Sequence, residues 1–91
     1  MCYSIIMKDK ITLKIAEAVV KSAPRFTEDA DLLNFQIARD LNLKSEAELA
    51  FCKHMVNNAI GLCKQGKGSD LKRNESSLML LAHLSVINSI D

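Results

Sequence analysis

The feature that most constrains this chain is a basic turn bearing two glycines, with an apolar helical run on either side. The turn is Lys64-Gln65-Gly66-Lys67-Gly68-Ser69-Asp70-Leu71-Lys72-Arg73. The run before it, Leu49 to Cys63, carries Leu49, Cys52, Val56, Ala59 and Cys63 at steps of three and four. That spacing is a seam on one side of a helix. The run after it, Leu78 to Ile87, is dense in leucine. Two such runs joined by a short glycine turn predict an αα-hairpin, in which Gly66 stops the first helix. The hairpin fixes a class of fold and points to no reaction.

The rest of the chain follows the same period. Lys10, Lys14, Glu17 and Lys21 form one polar face, and Ile11, Ile15, Ala18 and Val19 form the other. This predicts an amphipathic helix over about residues 9–22, ended by Pro24. Thr27 is a suitable N-cap for a second helix over 28–41, whose first turn is acidic and whose inner row is Leu33, Ile37 and Leu41. Asn42 is placed to close it in the left-handed conformation. Ser45 and Glu48 make the S-x-x-E capping pattern directly before the third helix, expected over 46–64. The fourth is expected over 72–90, with Leu80, Leu84 and Ile87 as its inner stripe and Leu81 beside them. No segment alternates as a half-buried strand does.

The expected fold is therefore all-α: a small four-helix domain with a C-terminal αα-hairpin. At 91 residues there is room for one core. We read residues 1–8 as an N-terminal extension and 9–91 as a single helical domain. The segment Met1–Met7 is too short and lacks the basic start of a signal peptide, and Met7 is a second candidate start. No run reaches the length of a membrane span. Cys2, Cys52 and Cys63 are odd in number and show no pairing motif, which suggests reduced thiols and a cytoplasmic location.

Charge excludes some functions. Residues 1–44 carry seven basic and six acidic side chains, and residues 45–91 carry five of each. A general nucleic-acid binder needs a basic face. The local excess is in the turn, where Lys64, Lys67, Lys72 and Arg73 could meet an anion or an acidic partner; a solvated loop explains the same residues. Residues 33–54 outline a degenerate helix-turn-helix, and a DNA-binding regulator is the alternative reading. Its second helix would open on Ser45-Glu46-Ala47-Glu48, which sets acidic groups against phosphate.

No catalytic or metal constellation emerges, and no cofactor is expected. Cys52 and His54 point to different sides of one helix. Cys52 and Cys63 lie eleven residues apart, about 16 Å along the axis at 1.5 Å per residue. There is no phosphate loop and no nucleophile with a base at a useful spacing. Leu78, Met79 and Val86 lie off the main seam of the last helix and Met55 widens that of the third, so we expect these four at a partner interface, with a homodimer as the simplest solution.

Met55, Ala59, Leu62, Gly66, Lys72, Asn74, Leu80, Leu81 and Leu84 give residues 46–85 a resemblance to the YmgB/AriR family of biofilm-development regulators. The resemblance implies a helical bacterial regulator tied to biofilm and acid-resistance control, in a family that includes connectors acting on a two-component response regulator. It assigns no site residues. The function expected from the sequence is thus a small bacterial regulatory or adaptor protein, acting by protein–protein binding.

Overall fold

The computed structural model describes residues 10–90; the extension expected over 1–8 lies outside the described residues. Four α-helices run α1 Lys10–Ser22, α2 Ala30–Asp40, α3 Glu46–Lys64 and α4 Glu75–Ile90, with no strand among the described residues. Two 3-10 turns, Ala23–Arg25 and Gly68–Asp70, follow α1 and α3. The all-α four-helix architecture and the C-terminal hairpin are as the sequence predicts.

Helix ends follow local chemistry. Pro24 sits in the 3-10 turn directly after α1. At α2 the cap differs from expectation: the helix starts at Ala30, and Asp29, rather than Thr27, accepts the Leu32 N–H at 3.1 Å. Ser45 Oγ accepts the Glu48 N–H at 3.0 Å, as the capping pattern requires. Asn42 closes α2 at φ 56°, and Gly66 closes α3 at φ 80°. Both ends are Schellman motifs: Leu43 N–H reaches the Ala38 carbonyl at 2.9 Å, and Lys67 N–H reaches Leu62 at 2.9 Å.

α3 is the central element, packed against α1, α2, α4 and both 3-10 turns. It buries Phe51, Cys52, Met55, Val56, Ala59 and Ile60, a band wider than one seam because neighbours cover it from several directions. α1 contributes Ile15, Ala16 and Val19, and α2 contributes Leu33 and Ile37. Leu49 and Cys63, the outer members of the predicted seam, are exposed and half-buried respectively. α4 starts three residues later than expected. Leu71, inside the basic turn, is buried at 2% exposure and anchors the loop to the core.

The main correction concerns α4. Its inner row is Leu78, Ala82 and Val86, at 4%, 0% and 0% exposure. Leu80, Leu81 and Leu84 face outward at 49%, 53% and 41%. Leu78, Val86 and Met55 are therefore core residues of this domain and are not available as an outer interface; Met79 is half-buried against the same core. Between Ser76 and Ile90 the helix has no Asp, Glu, Lys or Arg. A helix apolar all round has no preferred face, so its neighbours choose its rotation. Ala82 lets α4 come close to the core, and His83, 4% exposed, lays its ring on Phe51 of α3 with centroids 4.6 Å apart.

Candidate functional site

Leu80, Leu81 and Leu84 occupy adjacent positions on the outward side of α4, since residues three and four apart share a helical face. Ser77 and Asn88 extend that face at the same spacing, and both are exposed. A single exposed leucine is ordinary, but three contiguous ones on a helix with no Asp, Glu, Lys or Arg after Glu75 form a patch of the kind that marks an interface. The residues the sequence suggested as inner stripe thus become the candidate surface. The signal that could have found them is the missing polar face of α4, where the inner and outer sides are equally apolar.

Beside this ridge an open groove of about 540 Å³ separates the C-terminal half of α3 from the start of α4. Leu62, Leu78 and Leu81 contribute its apolar wall. Asn57, Asn58, Gln65, Asn74 and Ser77 supply uncharged polar groups, with Lys67 and Asp70 as its ionisable residues. Gly61 also lines it, and a Cβ built at Gly61 meets no atom within 4 Å. Asn74 is already engaged, donating from Nδ2 to the Asp70 carbonyl at 2.9 Å, which stiffens the loop at the groove's end. Leu81 belongs to both groove and ridge, so the two form one continuous surface.

The basic turn is organised for helix termination. Lys64, Lys67, Lys72 and Arg73 are all exposed. Lys72 Nζ, itself exposed, lies 3.5 Å from Oε1 of the half-buried Glu75. On α2, Leu32 and Phe35 are also exposed, at 42% and 60%, but Arg39 lies over the Phe35 ring, 5.8 Å from its centroid. α3 opens with Glu46 and Glu48, which places carboxylates where a recognition helix would approach DNA.

Cys52 and His83 are buried in the core, and Cys63 packs half-buried against it. Burial pushes the Cys52 thiol up to about 11 and raises Cys63 as well, the reverse of an activated thiol. Burial lowers the pKa of His83. Among the described residues no group of three or more His, Cys, Asp or Glu is arranged to hold a metal ion. No helix among them is long and apolar enough to cross a membrane. No protein-family model, curated protein or solved structure matches this chain.

Proposed function

We propose that this chain is a small non-catalytic regulatory or adaptor protein, bacterial and cytoplasmic, that acts by binding another polypeptide through the outer face of α4. One observation carries the reading: Leu80, Leu81 and Leu84 stand 41–53% exposed on a helix without charged residues from Ser76 to Ile90. Keeping such a face in water forgoes hydrophobic free energy of about 25 cal/mol per Å² of apolar surface. A covering partner recovers it. The resemblance of residues 46–85 to the YmgB/AriR regulators supports a regulatory role. The balanced charge and the acidic opening of α3 favour a protein over DNA as the target.

The test is a comparative capture. The full chain and its Leu81→Glu variant serve as baits in extract from the native cell, after circular dichroism shows equal helicity. The reading expects a protein retained by the wild type and lost with the variant. A partner retained equally by both removes the α4 face from the proposal. Retention of duplex DNA with a steep salt dependence would favour the DNA-binding alternative.

A further inference from the structure

We infer that the α4 face is occupied by a second copy of this chain, each copy seating its leucine ridge in the α3/α4 groove of the other. This rests on the preceding reading that the face binds a polypeptide, and it names the polypeptide. Two-fold association needs one surface to carry both halves of the match, because the same patch meets itself. This surface does: the ridge of Leu80, Leu81 and Leu84 adjoins the groove, with Leu81 common to both.

Charge supports the same occupant. The ridge offers no ion to a partner, so it selects a surface that is equally neutral. The chain's own groove has no net charge: Leu62 lies among the amides of Asn57 and Asn58, and Lys67 and Asp70 carry opposite signs. The amides make most of the rim polar without charge, and its two ions lie together at the loop end of the groove. Size matters too. A standard interface buries about 800 Å² on each partner, more than three leucines supply. The contact must therefore extend beyond the ridge, and the groove is the concave surface next to it. Gly61 leaves room there, since its missing side chain would point into open space.

The experiment uses the full chain and two variants. Leu84→Glu places a carboxylate on the ridge, and Gly61→Lys places an ammonium in the groove. Neither position is in the core, and far-UV circular dichroism checks that each variant keeps wild-type helicity; Leu80→Glu replaces Leu84→Glu if that variant loses it. Sedimentation velocity over a concentration series reads association. The wild type is expected to be a dimer at high micromolar concentration, and each variant alone at least about tenfold weaker. Mixed one to one, the variants are expected to re-form a dimer. The mixed pair sets Glu against Lys at one contact and leaves the native match at the other. A monomeric wild type at high micromolar concentration overturns the inference. So does a variant that dimerises as the wild type does, or a mixture that stays monomeric. If the wild type is monomeric yet the comparative capture still retains a partner that Leu81→Glu loses, the protein-binding reading stands and the self-association falls alone.

Discussion

The rotation of α4 makes a sharp prediction, because it assigns opposite roles to leucines two residues apart. Leu78 is 4% exposed and belongs to the core cluster; Leu80 is 49% exposed. Leu78→Ala removes buried methyl groups from a site walled by α3 and leaves a cavity. Such changes cost about 2–5 kcal/mol, and the near-complete burial of Leu78 puts it well inside that range, at about 3 kcal/mol. For a domain of this size each kcal/mol shifts the melting temperature by about 4–8 °C, so a fall of about 12–24 °C is expected. Leu80→Ala exposes little that is not already wet, and alanine is the better helix former. Its expected cost is below about 1 kcal/mol. Urea unfolding followed by circular dichroism measures both. Association would add a concentration-dependent part to the Leu80 result, so both variants are compared across protein concentrations. The concentration-independent part reports the core. If that part is as large for Leu80→Ala as for Leu78→Ala, the helix is rotated differently and the assignment of its outer face is wrong.

Three further outcomes follow from the same geometry. Gly61→Ala should stabilise by about 1 kcal/mol, because the position is helical and open; Gly66→Ala should destabilise by about 1–2 kcal/mol, because φ is 80° there. Equal effects in urea unfolding would contradict the assigned backbone conformations. His83 is held neutral by burial, so its folded pKa lies below the unfolded value of about 6.5. The unfolded chain then binds the extra proton first, and stability is full above about pH 6.5 and falls as pH drops below it. His83→Phe should flatten the melting temperature between pH 7.5 and 5.5, and an unchanged slope would assign the dependence elsewhere. Cys52, fully buried with its thiol near 11, should react with a thiol reagent only as fast as the chain unfolds. Mass-mapped labelling that is rapid in the native state would refute that burial.

Most of the fold was legible because helix ends are local. Ser45, Asn42, Gly66 and Pro24 each act through their own backbone and side chain, within about four residues, so a linear reading finds them. The polar face of α1 was equally plain, since Lys10, Lys14, Glu17 and Lys21 leave a single apolar side to bury. The cap of α2 shows the limit of such reading: Thr27 and Asp29 are both good caps, and the turn through the Asp29 N–H to the Phe26 carbonyl at 3.0 Å favours the second.

What the sequence determined by itself was therefore a helical class, four helices and the turns between them. What only the tertiary structure decided was which way α4 faces, and with it the candidate site. Periodicity locates a buried face by contrast with a polar one, and α4 offers no contrast: Leu78 and Leu80 carry the same signal. The choice was made by packing, through the small Ala82 against the core and the His83 ring on Phe51. These are contacts between residues far apart in the chain. The same packing sank Leu71 beneath the basic turn and turned Leu80, Leu81 and Leu84 outward, where their exposure is the strongest indication of how the protein works.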